Sequence, residues 1–213
     1  KMIEDKMSHL SIDVFIYEPN SQIKEKLKEE RVQLTDARAM LLFMLYKLVA
    51  NGEFVSEFSS EKICYFLQRF GAKEHFKLDY KPNFYGPYSG KVKYVINYLN
   101  GSYIMGYSSM DKKPFETLDL VSDGFEKVEG YILSKPELVE IVNRTELFLD
   151  GFYSEFALEL LSTVDYISLN KDTFDLEIIK SELEGWSERK RTLFSNDRFL
   201  NISINHLKEQ FGW

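Results

Sequence analysis

The residue types that most often carry catalysis or bind metals are few in this sequence, and they are scattered. The three histidines, His9, His75 and His206, lie far apart, and none has a ligand spacing such as HxxxH or HExxH. The single cysteine, Cys64, precedes two aromatic residues in an apolar segment, which favours a buried small side chain over a nucleophile. We therefore predict that the chain uses no metal and no cofactor.

Carboxylates are abundant, but their spacing does not specify a reaction. Glu155 and Glu159 are four residues apart, and any acidic helix contains such pairs. The sequence contains neither a GxSxG motif nor a glycine-rich phosphate loop. Because no catalytic set is recognisable, we expect a protein-binding domain that is not an enzyme.

Aromatic residues are dense around the dipeptide Gly86-Pro87. Gly86 can adopt a positive φ, and Pro87 fixes φ at the entry to the next helix, so a stiff corner is predicted with Tyr85 and Tyr88 on either side. The two rings either pack on the helix of residues 62–68 or serve as anchors at an interface. Both interpretations are compatible with the sequence.

Charge is distributed unevenly along the 213 residues. Residues 137–188 contain 13 acidic and three basic side chains, a net charge of −10, whereas the rest contain 21 acidic and 24 basic ones, a net charge of +3. The acidic block is either a set of solvated helix faces or a surface that docks on a basic partner. The overall charge of −7 argues against direct nucleic-acid binding, because binding to phosphates requires a basic face on the protein.

The elements that position these residues are predicted to be mainly helical. Helix caps and apolar periodicity predict helices that begin at Thr35, at Ser59 or Ser60, at Ser89 and at Ser122, and four later ones over 137–150, 155–168, 173–186 and 197–211. Strands over 103–107 and 115–121 are expected to flank a turn at 109–113. The predicted fold class is therefore α+β and mainly α-helical, a helical domain with a small antiparallel β-hairpin or sheet and a winged-helix-like N-terminal part.

The N-terminal segment has a different character from the rest. Residues 2–10 resemble a short helix, 11–17 alternate as a strand does, and 20–34 are polar, so we place a boundary between 1–34 and 35–213. The longest apolar run is the eight residues 39–46, too short for a membrane span, and the first residues lack the apolar core of a signal peptide. A cytoplasmic protein without membrane contact is expected.

Several blocks together resemble a known family. Residues 61–68 (EKICYFLQ), 85–88 (YGPY), 99–107 (LNGSYIMGY) and 158–167 (LELLSTVDYI) are similar to the C-terminal domain of DarG antitoxins, and the first two also resemble Panacea-type antitoxin domains. The chain departs from the pattern at Phe84 and Ser102, where histidines are expected. Residues 1–19 look like the last helix and strand of a macrodomain, which precedes this domain in DarG antitoxins. The resemblance implies a macrodomain tail and linker at 1–34 and a toxin-binding domain at 35–213.

The resemblance also implies a partner and a mechanism. The partner would be a DarT-like toxin that ADP-ribosylates DNA, and the domain would inhibit it by occupying its single-stranded DNA groove with acidic groups and rings, as a mimic of DNA. The family's hydrolase activity would lie in the macrodomain. The residues expected to contact the toxin are Tyr85, Tyr88, Tyr103, Tyr107, Glu155, Glu159 and Asp165.

The alternative interpretation is a winged-helix-type regulator that binds nucleic acid. Three helices followed by a hairpin fit that outline, and Lys91 and Lys93 would then face DNA. The overall acidity of the chain argues against it.

Overall fold

A computed structural model describes residues 31–107, 110 and 114–212, and the chain divides into two units, Lys1–Arg31 and Val32–Trp213. The second unit is mainly helical with two small antiparallel sheets. Its first helices and strands are α1 (Asp36–Ala50), α2 (Glu57–Leu67), a π-helical turn (Gln68–Ala72), α3 (Lys73–Phe76), β1 (Lys81–Asn83), β2 (Gly86–Tyr88) and α4 (Val92–Leu99). They are followed by β3 (Ile104–Met105), β4 (Asp119–Leu120), a 3₁₀ turn (Ser122–Gly124), α5 (Phe125–Leu133), α6 (Pro136–Leu149), α7 (Glu155–Lys171), α8 (Leu176–Trp186), α9 (Glu188–Leu193) and α10 (Asp197–Phe211).

Helix α2 is the centre of this unit. Every one of its residues is buried, including the charged Glu57, Glu61 and Lys62. It packs against α1, α4, α6, α7 and β2. A helix buried all round with three charged side chains must supply each of them with a partner, because an unpaired buried charge is strongly unfavourable.

The capping signals predict some helix starts and miss others. Thr35 caps α1 as expected, and its side chain accepts a hydrogen bond from the backbone N–H of Arg38. The predicted caps of α2, Ser59 and Ser60, are wrong, because Ser56 is the N-cap. Ser56 and Ser59 form a capping box in which each side chain accepts a bond from the other's backbone N–H.

The predicted Gly86-Pro87 corner is part of a hairpin, which the sequence does not predict. Strands β1 and β2 pair antiparallel, with Asn83 opposite Gly86 and Lys81 opposite Tyr88. Gly86 has φ +94°, which matches the positive φ that its position predicts. A Cβ at Gly86 would lie 2.7 Å from Thr163 Oγ1 on α7, so the backbone approaches α7 as closely as only glycine permits.

The predicted hairpin after α4 is present but short. Strands β3 and β4 are antiparallel, with Ile104 opposite Leu120, and Tyr103 and Tyr107 are fully buried beside β3. The turn expected at 109–113 lies largely outside the described residues. The winged-helix-like arrangement of this part stays a prediction.

The four later predicted helices are confirmed as α6, α7, α8 and α10, and α9 is a further helix that the sequence does not predict. Helix α10 is held to α6 by His206, whose Nε2 lies 2.7 Å from the backbone oxygen of Phe148. The imidazole also stacks on the rings of Phe148 and Phe152, each at 4.4 Å between centroids. His206 is therefore a packing residue, in agreement with the absence of a metal-ligand spacing.

Among the described residues, no helix is both long and apolar enough to cross a membrane.

The close approach of Gly86 to α7 predicts that a larger residue at this position lowers the stability of the fold, for two reasons. Gly86→Ala forces a positive φ on alanine and drives its Cβ into Thr163, which is fixed by bonds to the Glu159 carbonyl and Lys190. Gly101→Ala is the matched control, since Gly101 has φ +82° with nothing within 4 Å of the added Cβ. We expect Gly86→Ala to lower the free energy of unfolding in urea by about 2 kcal/mol more than Gly101→Ala. Equal losses would show that the hairpin moves freely away from α7.

Candidate functional site

A cavity of about 250 Å³ lies between the first two turns of α2 and the hairpin corner. Its walls combine carboxylates, a lysine and several rings, contributed by Glu57, Phe58, Glu61, Lys62, Asn83, Phe84, Tyr85, Tyr88 and Pro114. Glu57, Phe58 and Glu61 are placed there by the helical repeat, because residues three and four apart lie on one face. The cavity thus brings two carboxyl groups of one helix next to the aromatic corner.

Glu61 is the most perturbed acid of the cavity. Its carboxylate accepts hydrogen bonds from the Ser89 hydroxyl at 3.2 Å, the Ser89 backbone N–H at 3.3 Å and the Gly90 backbone N–H at 3.2 Å. Burial nevertheless raises the pKa of Glu61 to about 7, against the bonds from Ser89 and Gly90 and the charge of Lys62, which act to lower it. At neutral pH this carboxyl group can therefore both give and take a proton.

Lys62 lines the cavity beside Glu61. Its ammonium donates to the backbone oxygen of Pro87 at 2.7 Å, so the corner itself provides the acceptor for the buried cation. Burial, with the positive charge of Lys190, lowers the pKa of Lys62 to about 7, and Glu61 and Glu159 oppose this shift. The lysine holds the corner against α2 while carrying a charge that burial disfavours.

Glu57 is fixed one helical turn before Glu61. Its carboxylate accepts hydrogen bonds from the hydroxyl of Tyr107 at 2.8 Å and from that of Tyr88 at 3.3 Å. Tyr88 therefore links the aromatic corner to the start of α2, and Tyr107 links α2 to the segment after β3.

A network of buried charges around Glu159 contacts the corner. Glu159 on α7 accepts hydrogen bonds from Arg189 and from Lys190, and Lys190 also donates to Thr163 at 3.2 Å. Burial disfavours the charged form of Glu159, but the hydrogen bonds and positive charges of Arg189 and Lys190 outweigh it and hold the pKa of Glu159 below its usual value. Burial lowers the pKa of Lys190 to about 8. Arg189 lies 4.9 Å from the centre of the Tyr85 ring, which joins the network to the corner.

A second buried pair joins α7 to the far end of α2. Asp165 accepts a hydrogen bond from the Tyr65 hydroxyl at 2.7 Å and two from Arg69, at 2.8 and 3.1 Å. Burial raises the pKa of Asp165 in spite of these partners. This group clamps the two central helices and does not line the cavity.

The structure separates the seven residues that were predicted to contact a protein. Tyr85 and Tyr88 line the cavity and are partly buried, whereas Tyr103 and Tyr107 are fully buried. Among the acidic residues, Glu155 is exposed at the start of α7, but Glu159 and Asp165 are 2% and 1% exposed. Tyr88, Tyr107 and Glu57 meet in one group, and Glu159 reaches Tyr85 through Arg189. The role of these seven residues as protein contacts, and a toxin as the partner, stay predictions.

Sequence reasoning missed Glu57, Glu61, Lys62, Arg189 and Lys190. The first three look like solvent-facing charges of an ordinary helix, and the spacing of a charge does not show that it is buried. One signal was present in the sequence: apart from these three charged residues, the segment from 57 to 67 contains only apolar residues and two serines. Such a helix is expected in a core, and its charges therefore need partners.

In the described part of the chain, no group of three or more histidine, cysteine, aspartate or glutamate side chains could hold a metal ion. The cysteine, Cys64, is buried on α2, and burial raises the pKa of its thiol. It is therefore not a nucleophile in this structure.

The chain matches three curated proteins over most of its length. A protein of Thermus aquaticus is 28% identical over 184 residues, which is 85% of this chain and 50% of that protein. Proteins of Mycobacterium bovis and Mycobacterium tuberculosis are each 20% identical over 210 residues, which is 92% of this chain and 59% of those proteins. All three are named "DNA ADP-ribosyl glycohydrolase". The chain thus spans about half to three fifths of the length of these relatives, and no family profile matches it.

These relatives contradict three expectations drawn from the sequence. The assignment to a toxin-neutralising C-terminal domain, the inhibition of a DarT-like toxin and the absence of enzymatic activity are all wrong, since the matched proteins carry the name of an enzyme. The winged-helix regulator is no better supported. The absence of a recognisable catalytic motif does not exclude an enzyme, because burial can perturb the pKa of a side chain in a way that no motif records. The context of DNA ADP-ribosylation is retained.

The raised pKa of Glu61 predicts a pH dependence of stability. Between pH 4.5 and about 7 the folded chain keeps a proton that the unfolded chain releases, so this residue's contribution to stability falls as the pH rises. Because Glu61→Gln cannot ionise, its unfolding free energy should decrease less between pH 5 and pH 7 than that of the native chain, by about 2 kcal/mol. Urea unfolding at both pH values measures it. Glu140→Gln, on an exposed face of α6, should leave the loss unchanged; an equal change in both variants would contradict the assignment.

Proposed function

We propose that this chain is part of a protein that removes ADP-ribose from DNA, and that the cavity between α2 and the corner holds one ring system of the modified nucleotide. The observation that carries the proposal is the pKa of Glu61, about 7, in a carboxyl group that lines a cavity with aromatic walls. The glycohydrolase name of the relatives that match 85–92% of the chain supports it.

Hydrolysis of the glycosidic bond between ADP-ribose and DNA needs a proton on the departing DNA group and a proton acceptor for the attacking water. Paired carboxyl groups commonly supply both functions in glycoside hydrolysis. In this proposal Glu61, half protonated near pH 7, donates its proton to the leaving group. Glu57 accepts the proton of the water that adds to the sugar carbon. The products are free ADP-ribose and unmodified DNA.

The rings of the cavity suit the planar parts of such a substrate. Phe84 is 52% exposed at the mouth, and Tyr85 and Phe58 meet edge to face at 6.3 Å behind it. Bases stack on aromatic side chains with an energy of about 1–3 kcal/mol per base. A volume of about 250 Å³ accommodates one ring system and not a whole nucleotide, so most of the substrate would lie outside, along the exposed face of Phe84.

Glu57 and Glu61 are held for this task by neutral donors. Tyr88 and Tyr107 bond to Glu57, and Ser89 and Gly90 bond to Glu61. Lys62 supplies the nearest cation, and its bond to Pro87 fixes it below the cavity. The two carboxyl groups therefore have different surroundings, as an acid and a base on one site require. A cytoplasmic location, where DNA is accessible, belongs to the same proposal.

The test is the release of ADP-ribose from an ADP-ribosylated oligodeoxynucleotide by the 213-residue chain. We expect release by the native chain, a loss of about a hundredfold or more in Glu61→Gln and Glu57→Gln, and no loss in Glu140→Gln. Because Glu61 acts as an acid, kcat/KM should fall as the pH rises above about 7.

Two readouts separate chemistry from folding in this test. Glu61→Gln should still unfold cooperatively in urea and still bind ADP-ribose, both followed by tryptophan fluorescence, so that only turnover is lost. Absence of release by the native chain, or equal activity of Glu61→Gln and the native chain, would overturn the proposal that this cavity performs the reaction.

A further inference from the structure

A second cavity, of about 520 Å³, opens where the C-terminal ends of α1 and α6 meet. Asn51, the C-cap of α1, and Asp150, the C-cap of α6, both line it. The remaining lining residues are Asn143, Glu146, Leu147 and Tyr153. No residue of this cavity lines the cavity at Glu61, so the two are separate sites.

The charge around this second cavity is negative. The C-terminal ends of helices carry partial negative charge, and two of them meet here beside the carboxylates of Glu146 and Asp150. Lys47 pairs with Glu146 at 2.9 Å. Asp150 forms no ion pair within the described part of the chain, so one full negative charge remains for a ligand.

Tyr153 gives an independent indication that a ligand is missing. Its side chain is 5% exposed, and its buried hydroxyl has no hydrogen-bond partner in the described structure. Tyr153 lines the same cavity as Glu146 and Asp150, and burial together with their negative charges raises the pKa of its hydroxyl. A buried hydroxyl without a partner costs about 1–3 kcal/mol, and a ligand that donates a hydrogen bond to its oxygen would offset part of that cost.

We propose that this cavity binds a primary alkylammonium ion. An ammonium group offers one compact positive charge for the carboxylate of Asp150 and three donors, for which Asp150, the hydroxyl oxygen of Tyr153 and an amide oxygen of Asn51 or Asn143 are acceptors. Leu147, which is 76% exposed at the rim, provides the apolar contact for the alkyl chain.

Other ligand classes fit this cavity less well. An anion would meet two carboxylates and two helix C-termini of like charge. A bound divalent metal usually needs several charged ligands, and the described residues contain no group of three or more acidic, histidine or cysteine side chains. An alkylammonium ion carries one positive charge, which the carboxylate of Asp150 balances, and its chain can pack against Leu147.

The same chemistry is offered by a free diamine or polyamine and by a lysine side chain of another protein, and titration calorimetry on the full chain distinguishes them. The probes are 1,5-diaminopentane and Nα-acetyl-lysine-N-methylamide, with hexane-1,6-diol as an uncharged control. We expect saturable binding of an ammonium probe at one site and none of the diol. Tighter binding of the diamine assigns a free diamine, and tighter binding of the lysine derivative assigns a protein lysine.

Matched variants connect the binding to the cavity. Asp150→Asn should weaken it about tenfold and Tyr153→Phe about three- to tenfold, because they remove a charge and a hydroxyl with little change in shape. Asp172→Asn is the control for the first, since Asp172 is an exposed helix C-cap on α7, and Tyr94→Phe, at an exposed tyrosine, is the control for the second. Urea unfolding confirms that each variant is folded. The proposal is overturned if neither ammonium probe binds saturably, or if Asp150→Asn and Tyr153→Phe bind as the controls do.

Discussion

The burial of Lys62 inside α2 is the constraint on which the rest of the site depends. A buried ammonium needs an acceptor, and the backbone oxygen of Pro87 provides it at 2.7 Å. That bond brings the hairpin corner onto α2, and Gly86 must then lie against Thr163 on α7. The position of the aromatic rings, the burial of Glu61 and the volume of the cavity all follow from this contact.

Buried charges in this molecule bond to groups on distant segments. Lys62 and Glu61 bond to backbone groups of the corner 25 to 29 residues later, and Glu159 pairs with Arg189 and Lys190 about 30 residues later. Buried ion pairs contribute little net stability when complete, but the loss of one partner leaves an uncompensated charge in the interior. They therefore specify which segments can meet more than they strengthen the fold.

The sequence predicted the parts of the structure that depend on local signals. Thr35, the apolar periodicity of α6 and α10 and the positive φ of Gly86 are local properties, and each was anticipated correctly. The six-residue α9 was missed because so short a helix shows too few apolar repeats. The site was missed for a different reason: Glu57 and Glu61 acquire their character from Tyr107, Ser89 and burial, which only the folded chain brings together.

The pairing of Glu159 also has a consequence for how the chain can fold during its synthesis. The partners of this carboxylate on α9 leave the ribosome about 30 residues after Glu159 itself. Until then α7 carries a carboxylate at a position that must be buried, and docking α7 onto α2 would leave it unpaired. The packing of α7 on α2 is therefore expected to form late in folding. A nascent chain interrupted before Arg189 would expose the apolar faces of α2 and α7 to chaperones and proteases.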